Sequence, residues 1–283
     1  MGLIDLHLHT NQSDGQYSPR ALVRLAAKRG VSLMAITDHD TVSGVAEGAE
    51  AAREAGIDFI SGVEISVKGN KELHILGYLI DCENRELLRM NAEFVRLRGI
   101  REERIHEYLA GQGVLVTRAD VRRYAMGGMV GRPHFARALV EAGYASDFRD
   151  AFAKYLSTPA FYAIERPKPT PKVGIDAIRA AGGVAVLAHP TVLRLTEPEL
   201  DALLAELSAD GLRGMECYYS SHSPEQTALY LSLAQKHGLV VTGGSDFHGE
   251  RVKQGVEIGR GVNGPLGFED FDIKRKLRAL QGK

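Results

Sequence analysis

A chain of 283 residues, 44% hydrophobic and 25% charged, has enough apolar material for one large α/β domain or for such a domain with an insertion. Its net charge of −1 argues against a surface tuned throughout for nucleic acid or anionic membrane. Two cysteines, Cys82 and Cys217, form neither a CxxC pair nor a disulfide framework, and no signal segment or run of 18 apolar residues occurs; a cytoplasmic protein without a membrane span is expected.

Short apolar runs alternate with helical patterns, the signature of βα units and a parallel sheet. The runs read as strands at Leu3–Leu6, Leu33–Thr37, Phe59–Val63, Leu73–Leu79, Val184–Ala188, Gly214–Tyr218 and Leu239–Thr242. Ser18-Pro19, Thr170-Pro171 and Ser223-Pro224 each set a capping hydroxyl before a proline suited to the first helical turn. Thr196 and Glu199 have capping-box spacing. Gly30, Gly56, Gly182 and Gly238 stand where helices should stop and strands begin. About seven strands with intervening helices predict an α/β barrel, incomplete or distorted.

Between Glu83 and Pro169 the alternation stops. Helical patterns follow one another there: Glu83 to about Ala110, Thr117–Ala125, Arg132–Ala142 and Ala145–Leu156. This predicts a helical insertion over 98–169, between the fourth and fifth strands, with the barrel formed by 1–97 and 170–283. The segment Arg166-Pro167-Lys168-Pro169-Thr170-Pro171 reads as the return linker. From Arg89 to Arg137 there are ten arginines and no lysines, against Glu93, Glu102, Glu103, Glu107 and Asp120. Such a face is either solvated and paired with its own acids, or a lid turned toward a phosphate, whose oxygens match the guanidinium fork.

Chemistry-bearing residues gather at strand ends. His7 and His9 are two apart on an extended segment, so both imidazoles face one side. Asp14 follows; then Asp38-His39-Asp40, Glu64, His74 early in its run, His189, and Asp246 with His248. In a parallel barrel the strand C-termini open on one face, where these residues would converge. His74 is the awkward member, since its early place requires a bulge or a late strand start. Six histidines with Asp14, Glu64 and Asp246 exceed the ligands one ion takes and suit two or three. Nitrogen and oxygen donors without thiolate favour Zn, Mn or Fe.

His7-x-His9, Thr37-Asp38-His39, Gly62-Val63-Glu64, Ala188-His189-Pro190 and Ser245-Asp246-Phe247-His248 resemble, in order, the metal motifs of the PHP (polymerase and histidinol phosphatase) superfamily. The resemblance covers essentially the whole chain and implies a distorted (β/α)7 barrel with two or three divalent ions hydrolysing phosphate esters. It would assign His7, His9, Glu64 and Asp246 to one ion, with Glu64 bridging to a second held by His74 and His189. Asp14, His39 and His248 would hold a third. Gly131-Arg132-Pro133-His134-Phe135-Ala136 within a helical insertion resembles the branch of nucleoside 3′,5′-bisphosphate phosphatases and 5′-to-3′ exoribonucleases.

The implied mechanism is attack on phosphorus by a hydroxide bridging two ions at Glu64, with Asp14, His39, Asp246 and His248 also serving catalysis. No serine or cysteine nucleophile is needed, and Ser13, Ser245 and Cys217 read as supporting. Arg132 and His134 are candidate phosphate contacts. Past the sixth strand, His222 and Tyr218 or Tyr219 are candidates for a nucleobase, with Lys168 a further one. His106 and His237 read as structural. The substrate expected is a small phosphorylated nucleotide or short oligonucleotide, with no obligatory protein partner. The rival readings are a short-RNA exonuclease, a histidinol-phosphate-like phosphatase and a non-catalytic metal- or nucleotide-binding module.

Overall fold

The computed structural model describes residues 2–69, 72–125, 130–164, 168–261 and 264–282. Its first half runs β1 (Leu3–Asp5), α1 (Pro19–Lys28), β2 (Val31–Ile36), α2 (Val45–Ala55), β3 (Asp58–Ser66) and β4 (His74–Tyr78). Then come α3 (Arg85–Ala110), α4 (Arg118–Ala125), α5 (Arg132–Glu141), α6 (Phe148–Ala151), continued by a π-helical turn over Phe152–Leu156, and α7 (Pro159–Tyr162). The return is α8 (Pro171–Ala180), β5 (Val184–Leu187), α9 (Glu197–Ala209), β6 (Gly214–Tyr219), α10 (Pro224–Lys236) and β7 (Val240–Gly244), and α11 (Ile273–Arg278) ends the chain.

Local signals act as their chemistry requires. The hydroxyls of Ser18, Thr170 and Ser223 accept from Ala21, Val173 and Gln226 amides, satisfying donors that a helix start leaves free. Thr196 and Glu199 close a reciprocal box, the Thr196 amide donating to Glu199 Oε2 at 2.8 Å. The four stop glycines all have φ between 65° and 79°. Nothing lies within 4 Å of where their Cβ atoms would sit, so the demand there is conformational rather than steric.

The strands form one sheet in sequence order, β1 to β7. Past its short first strand the chain continues extended and pairs with the far edge: Leu6 N donates to Gly243 O, Asp246 N to His7 O and His9 N to Phe247 O, at 2.8–3.1 Å. The barrel thus closes along the segment carrying His7 and His9. Its interior is packed by Ile4, Leu6, Leu33, Ala35, Ile60, Leu76, Tyr78, Val184 and Val186, and the buried Tyr78 hydroxyl donates to Leu6 O at 2.9 Å.

One strand departs from the expected parallel order. β4 is antiparallel to both β3 and β5. Its N-terminal end therefore lies at the face where its neighbours have their C-terminal ends, and His74, its first residue, arrives there without a bulge. The connection is short because an antiparallel pair needs only a hairpin.

Helix α3 spans 26 residues, about 39 Å at the helical rise, and serves two cores. Leu87 and Phe94 pack with Ile175, Ile178 and the outer side of the sheet. Ile105 and Leu109 belong to a separate cluster with Val121, Phe135, Leu139, Leu156 and Phe161. The expected border at residue 98 falls inside this continuous helix. Arg166 and Pro167 of the expected linker lie outside the described residues. Among the described residues no helix is long and apolar enough to cross a membrane.

Candidate metal centre

All nine donors singled out from the sequence lie together at one mouth of the barrel. They form four overlapping groups: His9, Asp14, His39 and His248; His7, His9 and Asp246; His7, Glu64 and His189; and His39, Glu64 and His74. The groups share members more widely than the family pattern implies. His39 meets Glu64 as well as Asp14, and His9 joins the Asp14 group. Glu64 is the hub. Its Oε1 lies 2.8 Å from His74 Nδ1 and from His189 Nε2, and its Oε2 lies 2.9 Å from His39 Nδ1 and 3.3–3.4 Å from His9 and His7 Nε2. Asp246 Oδ1 lies 3.1 Å from His9 Nε2, 3.3 Å from His248 Nδ1 and 3.5 Å from His7 Nε2.

These spacings carry chemical information. His7 Nε2, both nitrogens of His9, Glu64 Oε2 and His189 Nδ1 are buried without a well-directed hydrogen bond. Leaving such groups unpaired in a protein interior costs about 1–3 kcal/mol each. Ligands held about 2.1 Å from one ion stand about 3.0 Å apart at octahedral and about 3.4 Å apart at tetrahedral angles. The observed nitrogen–oxygen separations fall across that range, so the donor set fits divalent cations.

Electrostatics agree. Burial disfavours the imidazolium of His9, yet the Asp246 and Glu64 carboxylates beside its Nε2 carry its pKa up to about 9. Burial likewise opposes the ionised form of Glu64, but His39, His74 and His7 hold its carboxyl well below the usual range. Asp246 is held low against burial by Lys253, His7 and His248. The mouth is a carboxylate cluster that attracts cations, protons included.

Backbone strain marks the same place. Asp40, His189 and Asp246 have φ of 55°, 26° and 56°, in the region L-residues seldom occupy. Each side chain is re-aimed by its turn: Asp246 and His189 into the cluster, Asp40 onto Arg98 at 2.6 Å.

Glu216 and Asp5 escaped sequence reasoning, and the supporting role of Asp38 emerges only in the fold. Glu216 is buried inside β6; its Oε1 meets His7 Nδ1 at 3.0 Å and its Oε2 accepts the His189 amide at 2.7 Å. Asp5 accepts from the Ser245 amide and hydroxyl, the Gly259 amide and the His7 amide. Asp38 accepts from the Thr10 amide and hydroxyl and from Ser13 Oγ, fixing the turn that leads to Asp14. An acid inside an apolar strand, as in Gly214-Met215-Glu216-Cys217 or Leu3-Ile4-Asp5-Leu6, was the available signal. Lys253 and Glu72 gave none. The buried Cys217 thiol is pushed far up by burial, which removes it as a nucleophile.

Beside the histidines lies a cavity of about 210 Å³ lined by Arg98, Arg101, Arg132, Lys168, Phe152 and Glu72, with Asp14, His39 and His74 on its inner wall. Arg132 pairs with Glu72 at 2.8 Å and lies over the Phe152 ring; Lys168 is 3.8 Å from the same carboxylate. Eight of the ten arginines fall into two sets: Arg96, Arg118, Arg122, Arg123 and Arg137 pair with Glu93, Glu103, Glu102 and Glu141 of the helical region, whereas Arg98, Arg101 and Arg132 face the cavity.

His134 is not among the cavity-lining residues. Its Nδ1 accepts from the Gly131 amide at 2.9 Å, so its ring caps α5. His222 and Tyr218 line a different hollow of about 340 Å³ with Leu231 and Leu266. His222 Nδ1 faces Cys217 O at 2.9 Å, and Tyr219 stands between its ring and that of His189. His106 meets Val116 O and His237 meets Asp201, as structural residues do.

The PHP domain profile matches residues 5–242. A 5′-3′ exoribonuclease Rnm of Escherichia coli K12 is 37% identical over 270 residues, covering 94% of this chain and 92% of that protein. A 3′,5′-nucleoside bisphosphate phosphatase of Chromobacterium violaceum is 35% identical over 257 residues, covering 88% of each. A solved structure from Bifidobacterium adolescentis, provisionally described as a metal-dependent phosphoesterase, superposes with a TM-score of 0.85 at 36% identity, covering 99% of this chain and 96% of that one.

Proposed function

Because the chain belongs to the PHP domain family, we propose that it is a metal-dependent phosphoesterase acting on phosphate monoesters of nucleotides, foremost the 3′-phosphate of nucleoside 3′,5′-bisphosphates. The observation that carries this reading is a set of nine clustered donors, several buried and unpaired, opening directly onto an arginine-lined cavity. The relatives named for bisphosphate and RNA chemistry support the substrate class.

In this reading the donors hold two or three ions, manganese, iron or zinc by donor type. Bound, the ions supply Lewis acidity and an activated water. Glu64 presents its two oxygens to different histidines and so spans neighbouring positions. Glu216 fixes the tautomer of His7, leaving Nε2 free to ligate. Arg132 takes a substrate phosphate, its guanidinium braced on Phe152. Residues 98–169 act as a lid over the barrel formed by 1–97 and 170–283, excluding water from the mouth. Phosphate release should be assayed on a panel of 3′,5′-bisphosphates, 3′- and 5′-monophosphates and histidinol phosphate with added Mn²⁺. Fastest release from the 3′,5′-bisphosphates is expected; preference for histidinol phosphate, or no turnover at all, defeats the reading.

A second reading, exonuclease action on short RNA, is favoured by a hollow of about 520 Å³ lined by Gln12, Thr41, Ser43, Arg98 and Arg122. It shares Arg98 with the first cavity, giving room for a further nucleotide. An oligonucleotide making several phosphate contacts would give a steep salt dependence, with a slope of about −0.7 per contact. A mononucleotide would give a shallow one.

A further inference from the structure

Asp246 uses its two oxygens for different purposes. Oδ1 faces His7, His9 and His248, while Oδ2 receives Lys253 Nζ at 2.6 Å and the Tyr219 hydroxyl at 2.9 Å. Lys253 also lies 3.0 Å from Tyr219 Oη, so the three groups close a ring. The lysine is not a loose surface cation. Its backbone amide and that of Val252 donate to Gly249 O, forming a tight turn just after His248. Gln16 pins that turn: the Gln16 amide donates to His248 O at 2.6 Å, and Gln16 Oε1 accepts from Arg251 N at 3.0 Å. Gly249 has φ of 105°, and a Cβ there would come within 2.3 Å of Gln16 Cβ, so the return path admits only glycine. Tyr219 reaches Asp246 because the register of β6 against β7 slips between Glu216 and Tyr218, and its ring stands 5.5 Å from that of His189.

We propose that Lys253 is a positioning residue that limits Asp246 to one ligand oxygen and offsets part of its charge toward the divalent cation. This rests on the metallophosphoesterase reading above. A carboxylate free at both oxygens can close on an ion through both, occupying a position that substrate needs. A carboxylate with one oxygen committed to an ammonium cannot. The fixed positive charge also weakens the hold on the cation and favours the incoming phosphate dianion. Affinity for metal and speed of turnover are therefore set against each other at this residue, which a purely structural lysine would not do.

The test uses the full chain and three variants, Lys253→Met, Lys253→Arg and Tyr219→Phe. Mn²⁺ affinity and stoichiometry are measured by calorimetry and elemental analysis, alongside kcat and KM for the best phosphate ester. Lys253→Met should bind Mn²⁺ about tenfold more tightly, with kcat reduced at least tenfold and KM raised. Lys253→Arg, which keeps the charge, should return Mn²⁺ affinity to near the parent value. Tyr219→Phe keeps the ammonium and should change Mn²⁺ affinity less than threefold. Unchanged or weaker Mn²⁺ binding in a folded Lys253→Met protein overturns the proposal. If that variant fails to fold, an Arg variant that does not recover the parent affinity overturns it instead. Absence of Mn²⁺ binding in the parent protein would reach further and remove the functional reading itself.

Discussion

Glu216 gives the sharpest test of how the histidine cluster is supported. Replacing it by Leu removes the acceptors for His7 Nδ1 and for the His189 amide, both buried. Two donors stranded at about 1–3 kcal/mol each cost about 2–6 kcal/mol, a large share of a domain stability of about 5–15 kcal/mol. Glu216→Gln is the more informative change, since it keeps the shape and one acceptor oxygen. Only one of the two donors can then be served, at a cost of about 1–3 kcal/mol, or a fall of about 2–6 °C in Tm for a chain of this size. Losing the carboxylate behind His7 should also reduce metal affinity or kcat by about 10–100-fold, the usual effect of removing a carboxylate behind a ligating imidazole. Thermal unfolding with and without Mn²⁺, metal titration and single-turnover kinetics check the three effects. A Glu216→Gln protein with parent Tm, metal affinity and kcat would refute the argument that Glu216 fixes the His7 tautomer.

Other outcomes follow from the same geometry. Glu64→Gln, which weakens the hub that faces five of the clustered histidines, should abolish turnover in metal-replete buffer and lower the bound metal seen by elemental analysis. Arg132→Ala should raise KM for the phosphorylated substrate roughly tenfold or more, the loss of one charge-assisted contact, while metal content stays at the parent value. Glu72→Gln should lower KM, because Glu72 occupies Arg132 and Lys168 as a competing anion; a raised KM would contradict this. Stripping metal should invert the pH dependence of stability. His9 rises from 6.5 to about 9 in the folded protein. Its stabilising share is complete below pH 6.5 and is lost as pH rises through about 9, so Tm of the metal-free protein should fall across that window. In the metal-loaded protein the cation replaces the proton and holds better as pH rises, so Tm should not fall there.

The clustered donors were legible because their chemistry is written in local spacing. His7 and His9 need only the two-residue period of an extended segment. Glu64 and His189 stand at the ends of apolar runs, where the barrel rule alone places them. His74 could not be placed by that rule, because its run carries no mark of direction. Parallel and antiparallel strands buried on both faces have the same composition, and the antiparallel course of β4 is set by pairing with β3 and β5 rather than by its own residues. The helical region was legible as helix after helix. The sharing of α3 between two cores was not, because its apolar positions serve different neighbours at its two ends.

The substrate side was harder for a physical reason. A guanidinium has the same spelling whether it pairs with a carboxylate of its own helix or faces a cavity, and only the fold separates Arg122 on Glu102 from Arg132 above Phe152. His134 shows the reverse case: a ring nitrogen one turn into a helix can cap it as readily as it can meet a phosphate, and here Nδ1 takes the cap. Charge balance then decides what the cavity can accept. Arg132 and Lys168 both face Glu72, and that same carboxylate lies 3.4 Å from His74 Nε2. In the proposed reading a phosphate entering on Arg132 would displace Glu72 from the cations and leave it to His74. Inorganic phosphate should therefore bind more tightly to Glu72→Gln than to the parent protein, and equal affinity in the two would show that the carboxylate does not compete.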